Sequence, residues 1–421
     1  MNRKFYKSFL AVAILVLPLM FASAQTAITS ADDLDLIRAD LSGSYYLTGD
    51  ITLPDGDWLP IGAENSEQTD ALPFTGTFDG KGYTIKNLKF DYRASAGNGK
   101  GFFARLNNQA VVKDVGFEDV DIAGTDQCGT VAGQFTGESV IERVWVTGKV
   151  EGKSTTGGLI GGVPVNNDRP DYNTIQDCYV NIELLITEKM GGGIVGQLAN
   201  ANAKIQITNV LVAGKLNSSP DILSSNINKI GGLFGVTGSV HPKINSVAIV
   251  CDEITGYMPN FIYSGNQYPT EVNKAYVRDD VNLIYYNEED KGKGSEYDKM
   301  DIHFNPLSEF KTKDFYTTNL NWDFDNVWTI NEGEFPMLKI QQAASGLSNL
   351  PESINCKIYP LNNEIVIEPT GKVSVSIYDL AGKLMLSQTT SAKLTVPVES
   401  GFYMVEIQQH ENTSVKKLLV K

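Results

Sequence analysis

The strongest constraint on the fold is a short apolar pattern that recurs along most of this 421-residue chain. Each copy has apolar residues at its first, fourth and sixth positions. The copies begin at Ile85, Val112, Ile141, Ile175, Ile207, Ile244 and Val272, at intervals of 27, 29, 34, 32, 37 and 28 residues. An internal repeat of about 30 residues, with several short strands and no helical periodicity, is typical of one coil of a parallel β-helix.

Within each copy, the spacing predicts two short strands joined by a corner. The fourth and sixth residues alternate around an outward residue, as in a strand with one buried face. The alternation breaks between the first and fourth residues, at a third position that is mostly polar and tolerates a bend. These third positions are Asn87, Asp114, Arg143, Asp177, Asn209, Ser246 and Lys274.

A glycine-rich motif keeps step with the apolar pattern. It reads GFFA from residue 101, GTVAG from 129, GGLIG from 157, GGGIVG from 191 and GGLFG from 231. One such loop could cradle a phosphate, but five copies in step with a repeat indicate architecture, with glycine permitting tight corners. We therefore predict an all-β fold, a parallel β-helix of seven coils that is about 34 Å long at about 4.8 Å per coil.

Both ends of such a coil stack need covers, because open ends expose unpaired backbone groups. At the front, SADDLDLIRADL (residues 30–41) predicts a short helical cap with Ser30 as its N-cap. At the back, Trp322, Phe324, Trp328 and Phe335 are concentrated in one segment. These aromatic residues could form an apolar plug or a binding site, and we favour the plug.

The first 24 residues have the three parts of a secretory signal peptide: basic residues, an apolar run and small residues before the cleavage point. Cleavage is predicted between Ala24 and Gln25. No later stretch reaches the roughly 20 apolar residues of a transmembrane helix, so we predict no transmembrane segment.

The net charge of the chain is negative. Without the three basic residues of the signal peptide, 35 − 3 = 32 basic residues stand against 50 acidic ones. The resulting charge of −18 disfavours nucleic acid as a partner.

Segments of the repeat region resemble a known family. WLPIG (58–62) and PFTGTFDGKGYTIKNL (73–88), followed by the GGLIGG and GGLFG units, resemble the GLUG-repeat family of bacterial surface proteins and of the non-catalytic, adhesin-like part of some immunoglobulin A proteases. The resemblance covers residues 45 to about 340 and implies a β-helical stalk or binding surface. It does not imply proteolysis, because the chain contains no His-Glu-x-x-His motif.

The C-terminal region resembles the sorting domain of the type IX secretion system of Bacteroidetes. The matching pieces are KIYP (357–360), VSIYDLAGKLM (375–385), GFYMVEI (401–407) and KKLLVK (416–421), although the usual Asn-Pro after Tyr-Pro is absent. The resemblance implies recognition by the type IX machinery and a protein that is secreted or attached to the outer cell surface.

The alternating strands of this region, separated by turns, predict a small β-sandwich. The predicted domain order is a signal peptide (1–24), a capped β-helix (25–340), a linker (341–352) and the sorting domain (353–421).

Catalytic and metal-binding chemistry is sparse in the sequence. The four cysteines and three histidines match no zinc spacing, so we predict no metal, no cofactor and buried free thiols. Polysaccharide lyases and hydrolases also occur on β-helices, so the alternative is that the chain is such an enzyme. Its candidate catalytic acids are then Asp114, Glu142 and Asp177. For Asp114 and Asp177, a structural role in the corner is favoured.

A binding function has better support in the sequence. The outward fifth positions include Trp145 and Tyr179, which should lie side by side on adjacent coils and offer flat aromatic faces to a sugar ring. Alternatively, a loop such as VPVNNDRPDYN (163–173) buries both rings. We therefore predict an exported, non-catalytic β-helix protein that binds a glycan or an extracellular protein, with Trp145 and Tyr179 as ligand contacts.

Overall fold

The computed structural model describes residues 25–64, 71–95, 97–164, 172–199, 203–220, 229–237, 242–264, 271–286, 301–344, 356–361, 363–369, 371–379, 383–409 and 412–420. These residues form a parallel β-solenoid of about six turns and, at the C-terminus, two small antiparallel sheets. The predicted all-β class and solenoid are confirmed. The signal peptide predicted over residues 1–24 lies outside the described residues.

Three parallel sheets form the sides of the solenoid. The long sheet contains Thr26–Ile28, Ser44–Leu47, Ile51–Thr52, Thr77–Asp79, Thr84–Lys86, Lys89–Asp91, Val111–Gly124, Val140–Gly152, Asn173–Ile186, Ile205–Ser218, Lys243–Ile249, Glu253–Gly256, Glu271–Arg278, Asn282–Tyr285 and Ile302–Asn305. The second sheet contains Phe103–Leu106, Ala132–Phe135, Ile160–Val163, Val195–Leu198 and Phe234–Val236. The third contains Cys128–Gly129, Thr155–Gly157, Met190–Gly192, Lys229–Gly231 and Met258–Asn260.

The apolar triads of successive coils stack in register inside the solenoid. Ile141 pairs with Ile175, and Ile175 pairs with Ile207, with all three side chains fully buried. Stacked aliphatic side chains of this kind supply most of the core, because each contributes about 1.5–3 kcal/mol relative to an exposed position. The predicted axial stacking is therefore confirmed.

The first triad departs from this register. Ile85 pairs with Phe117, whereas Phe78 is the residue that pairs with Val112. The copy that begins at Ile85 is thus shifted to the second part of its coil. The seven copies are therefore not all in the same register, and the structure has about six turns where seven coils were predicted.

The predicted corners are present at every third position. Asn87, Asp114, Arg143, Asp177, Asn209, Ser246 and Lys274 all have φ between 50° and 63°. This left-handed conformation turns the chain within one residue. Asn and Asp adopt it at low cost because their short polar side chains bond locally, whereas a long side chain is strained there.

The glycine motif lies where coils pack closely against each other. A Cβ atom on Gly161 would come within 2.1 Å of the Gln127 carbonyl carbon, and one on Gly196 would lie 2.5 Å from the Gly161 carbonyl oxygen. Glycine is required at these sites because neighbouring backbones leave no room for a side chain. The motif also lies, as predicted, at the corners between the third sheet and the second, where the chain bends at residues 158–159, 193–194 and 232–233.

A short helix covers the front of the solenoid. It spans Leu34–Ala39 and buries Leu34 and Ile37 in the main core. Its N-cap is Asp33 and not Ser30 as predicted, because the regular helix begins one turn later. Ser30 still assists: its backbone N–H donates to the Asp33 carboxylate at 3.0 Å, and its Oγ accepts from the Asp33 N–H at 3.4 Å.

The aromatic segment after the last coil forms a lateral strap, which we define as residues 306–344. It contains a 3₁₀ turn (Glu309–Lys311), two joined helical turns (Lys313–Phe315 and Tyr316–Leu320), a two-stranded sheet (Trp328–Thr329 with Met337–Leu338) and a helix (Lys339–Ala344). The strap packs on the outer face of the long sheet, where Trp322 Nε1 donates to the Ser246 carbonyl oxygen at 3.0 Å. The predicted end plug is therefore a side cover.

The C-terminal region is a small sandwich. One sheet comprises Cys356–Leu361, Glu364–Pro369 and Leu394–Pro397, and the other comprises Val373–Asp379, Leu384–Thr390, Gly401–Gln409 and Asn412–Val420. Ile365, Ile367, Val375 and Val405 are fully buried in the core that the two sheets share. Residues 341–344 of the predicted linker are helical, and its remaining residues, 345–352, lie outside the described residues.

Candidate functional site

The long sheet presents its outer face as two strips. A second bend, at Asp119, Gly148 and Gly214, follows the first corner by five residues and turns these three strands again. The strip before this bend carries Trp145 and lies under the strap. The strip after the bend carries Lys149 and is open to solvent. Of these two strips, the one after the bend is therefore accessible to a ligand.

Trp145 and Tyr179 lie in the covered strip. They pair directly across adjacent strands, so their predicted neighbourhood is confirmed. The predicted exposure of both rings is wrong: Trp145 is 0% exposed, Tyr179 is half-buried, and the strap covers them. Burial also raises the pKa of the Tyr179 phenol. A row of large apolar rings on a sheet face needs cover in water, and the strap supplies it.

The indole of Trp145 is fixed by a hydrogen bond to the long sheet and by packing against the strap. Its Nε1 donates to Glu118 Oε1 at 3.0 Å, so its polar atom is satisfied. The same apolar cluster contains Tyr316, Trp322 and Trp328 of the strap, and the rings of Trp322 and Trp328 stack at 4.3 Å. The pair predicted as a ligand contact is thus part of a second hydrophobic core.

Two of the candidate acids are engaged by Arg143. Its Nε lies 2.5 Å from Asp114 Oδ1 and its Nη2 lies 3.0 Å from Asp114 Oδ2, which is a bidentate ion pair. Nη1 of Arg143 also donates to Glu142. Hydrogen bonding to Asp114 is the main cause of a raised pKa of the Arg143 guanidinium. These carboxylates neutralise an arginine in the corner column, which supports the structural role favoured for Asp114.

Asp177 occupies the next corner and is partly buried. Burial raises the pKa of its carboxyl and outweighs the hydrogen bond from Asn209 Nδ2, which lies 3.0 Å from Asp177 Oδ1. Asp79 lies on the other side of the network and behaves in the opposite way. Burial alone would raise the pKa of Asp79, but hydrogen bonding and charge from Lys81 and Lys113 overcome it and lower that pKa.

The open strip contains a groove with a volume of about 660 Å³. Its floor carries a row of charged side chains, one from each successive coil, which we call the charge ladder. The ladder runs Lys89, Asp121, Lys149, Glu183, Lys215 and Glu253, each residue pairing in register with the next. The first five line the groove, and Glu253 continues the row beyond it. We call this cleft the ladder groove.

The charge ladder alternates in sign at every step. Opposite charges directly across paired strands stabilise a sheet by about 0.2–1 kcal/mol per pair, so alternation helps the coils to stack. Lys149 Nζ lies 3.8 Å from Glu183 Oε2, and the two side chains are 68% and 66% exposed. Ion pairs this exposed contribute little to stability, and their charges remain accessible to other groups.

One wall of the groove is fixed by an arginine. Arg93 Nη1 lies 2.8 Å from Glu151 Oε1, and its Nη2 lies 2.6 Å from Asp91 Oδ2. These hydrogen bonds, that to Asp91 first, raise the pKa of Arg93, and the hydrogen bond from Arg93 is the main cause of the lowered pKa of Asp91. Leu185, which is 38% exposed, adds an apolar surface beside the ladder. The groove therefore combines both charge signs with a small apolar contact.

Metal and thiol chemistry is not evident in the described part of the chain. No group of three or more His, Cys, Asp or Glu side chains is placed there to hold a metal ion. Cys128, Cys178 and Cys251 are buried free thiols, and burial raises the pKa of Cys128 and of Cys251 to about 12. Thiols of this kind stay protonated and unreactive at neutral pH.

The C-terminal sandwich corresponds to a known export signal. Residues 357–421 match the family model of the secretion system C-terminal sorting domain, as the sequence pieces in this region predicted. Among the described residues, no helix is long and apolar enough to cross a membrane. The chain is a protein that is secreted or attached to the cell surface.

The chain is similar to parts of much larger proteins. Halomucin of Haloquadratum walsbyi is 34% identical over 106 residues, which is 25% of this chain and 1% of halomucin. An immunoglobulin A1 protease of Streptococcus pneumoniae is 27% identical over 209 residues, which is 48% of this chain and 9% of that protein. The matched parts thus span a small fraction of each relative.

A solved structure shares the fold. The crystal structure of a putative immunoglobulin A1 protease from Bacteroides ovatus superposes with a TM-score of 0.54, at 18% identity, and covers 76% of this chain and 93% of that one. At this identity, the likeness establishes the common architecture and not a common activity.

Proposed function

We propose that this exported solenoid is a binding protein without catalytic activity and that its ligand, a glycan or an extracellular protein, lies in the ladder groove. The observation that carries the proposal is an open cleft of about 660 Å³ on a rigid, in-register sheet, with accessible charges of both signs. The GLUG-repeat resemblance, which stays a prediction, supports the same kind of surface protein.

The chemistry of the acids supports binding over hydrolysis. A glycosidase needs two carboxylates facing each other across the bond that is cleaved. Here Asp114 and Glu142 both bind Arg143, and Asp177 accepts a hydrogen bond from Asn209 in a corner. The relatives named immunoglobulin A1 protease match this chain over 9% or 10% of their length, and the chain lacks a His-Glu-x-x-His motif. Proteolysis is therefore an outcome to test and not part of the proposal.

The test uses the whole mature chain on an array of glycans and extracellular matrix proteins. We expect specific binding that is lost on the double substitution Lys149→Ala and Glu183→Ala in the groove. The matched control, Lys189→Ala with Glu332→Ala, removes the same two exposed charges outside the groove and should bind normally. Equal binding by both double variants would contradict the groove as the site.

Two activity assays accompany the array. Release of reducing sugar from the bound glycan would establish the polysaccharide-acting alternative. Cleavage of immunoglobulin A1 would establish proteolysis. We expect neither product, and either one would overturn the non-catalytic assignment.

A further inference from the structure

The charge ladder has a period that selects among extended ligands. Paired strands lie about 4.8 Å apart, so side chains of the same sign recur every second coil, at about 9.6 Å. A polyproline II helix repeats every three residues at about 3.1 Å per residue, or about 9.3 Å. A β-strand repeats its side-chain direction at about 6.6 Å and falls out of step after one repeat.

Resting on the proposed function, we propose that the ladder groove binds an extended polypeptide in the polyproline II conformation, with one acidic and one basic side chain in every three-residue turn. The mismatch between about 9.3 Å and about 9.6 Å amounts to less than about 1 Å over the six rungs of the ladder. Flexible lysine and glutamate side chains absorb an offset of this size. The ligand therefore stays in phase along the whole row.

The alternation of sign sets the charge pattern of the ligand. A polyanion meets an acidic residue, such as Asp121 or Glu183, at every second rung, and a polycation meets a lysine, such as Lys149, equally often. Like charges placed opposite each other cost free energy, so uniformly charged polymers gain little along this row. In a polyproline II chain with one acid and one base per turn, the two charged residues lie about 3.1 or 6.2 Å apart along the axis. Their flexible side chains span the difference from the rung spacing of about 4.8 Å, so such a chain gains at each rung.

Because the ladder is accessible, charged groups of a ligand can replace the ion pairs between its side chains. Lys149 and Glu183 are about two-thirds exposed and 3.8 Å apart, so their mutual ion pair costs little to replace. Beside the ladder, the exposed side chain of Leu185 offers the apolar surface on which a proline ring packs. Recognition of polyproline II segments commonly combines such an apolar contact with a low ordering cost of the preformed helix.

The decisive experiment compares two synthetic peptides of identical composition. The first is (Pro-Lys-Glu)₄, which alternates in phase with the ladder, and the second is (Pro-Lys-Lys)₂(Pro-Glu-Glu)₂, which groups each sign in a block. Binding to the full mature chain is measured by fluorescence anisotropy at low salt and again at about 0.5 M salt, where charges are strongly screened. We expect the alternating peptide to bind at least tenfold more tightly and to lose this advantage at high salt.

Ladder variants test the position of the peptide. Lys149→Glu places three acids in a row, and the swap Lys149→Glu with Glu183→Lys keeps the composition but breaks the alternation. Both should lose at least tenfold in affinity for (Pro-Lys-Glu)₄, whereas Lys189→Glu, the same charge change outside the groove, should not. Thermal unfolding of each variant shows that the solenoid is intact.

The outcomes separate this inference from the proposed function. Equal affinity for the two peptides, or no affinity for either, overturns the polypeptide inference, whatever the array shows. The proposed function stands in that case if an array ligand is still lost on Lys149→Ala with Glu183→Ala. It fails if that variant and the wild type retain every ligand equally.

Discussion

Gly116 and Trp145 are paired across neighbouring strands of the long sheet, and the indole occupies the space that a side chain at residue 116 would need. A Cβ atom added to Gly116 would lie 2.2 Å from Cε2 of the Trp145 ring. The absence of a side chain on one coil therefore allows a large ring on the next, and the strap packs against that ring. The cover of the long sheet depends on this glycine.

The first prediction concerns this pair. Gly116→Ala should push the Trp145 ring outward, break its hydrogen bond to Glu118 and lower the free energy of unfolding by about 1–3 kcal/mol, as overpacking does. Chemical denaturation measures the loss. The matched control is Gly162→Ala in the second sheet, where the new Cβ would find no atom nearer than 3.4 Å. If the two variants unfold at the same denaturant concentration, the packing argument is wrong.

The second prediction concerns the strap. Trp328 is fully buried and stacks on Trp322, so Trp328→Ala should cost about 3–5 kcal/mol and loosen the strap. Loosening exposes the Trp145 indole to water, which a red shift of the tryptophan emission detects. Glu332→Ala, at an exposed site of the same strap, should leave both stability and emission unchanged. An unshifted spectrum in Trp328→Ala would show that the strap is not what shields Trp145.

The stacked core and the corners were predictable because each depends on residues close in sequence. The pattern around Ile141, with an apolar residue three and five positions later, repeats in the next coils, and Arg143 marks the bend with a φ of 50°. The position of the strap was not predictable in this way. Trp145 and Trp322 belong to one apolar cluster although 177 residues separate them in the chain, and no local spacing encodes which face a distant aromatic segment will cover.

The charge ladder could not be predicted from the sequence for a different reason. Asp121 lies nine residues after Val112, whereas Lys149 lies eight residues after Ile141, because one strand holds an extra residue at the register shift between Val146 and Gly148. A fixed spacing counted from the apolar triad therefore loses the row. Only the strand pairing restores the phase and brings the alternating charges together.

The third prediction concerns a strained corner. Lys274 has φ 59°, a conformation that Asn adopts at lower cost and that Asn209 already holds two coils earlier. Lys274→Asn should raise the free energy of unfolding by up to about 1 kcal/mol by relieving this strain. Lys243→Asn, at a strand position of the neighbouring coil, should give no gain.

Arg143→Asn should instead be destabilising, since it removes the ion pairs to Asp114 and Glu142. Equilibrium denaturation ranks the three variants.

The last prediction is a pair of opposite pH dependences. Burial raises the pKa of Asp177 above its unfolded value, so ionising this carboxyl at neutral pH weakens the fold. The penalty shrinks as the pH falls through the folded pKa and is gone below the unfolded pKa. Asp177→Asn should therefore be more stable than the wild type at pH 7, with the advantage shrinking towards acid pH.

Against its own burial, the pKa of Asp79 is lowered by Lys81 and Lys113, so its ionised form stabilises the fold above the unfolded pKa and the contribution is lost as the pH falls through the folded pKa. Asp79→Asn should thus be less stable at pH 7, with the deficit shrinking in acid. Thermal unfolding from pH 3 to pH 8 distinguishes the two, and parallel curves for both variants would contradict the assigned electrostatics.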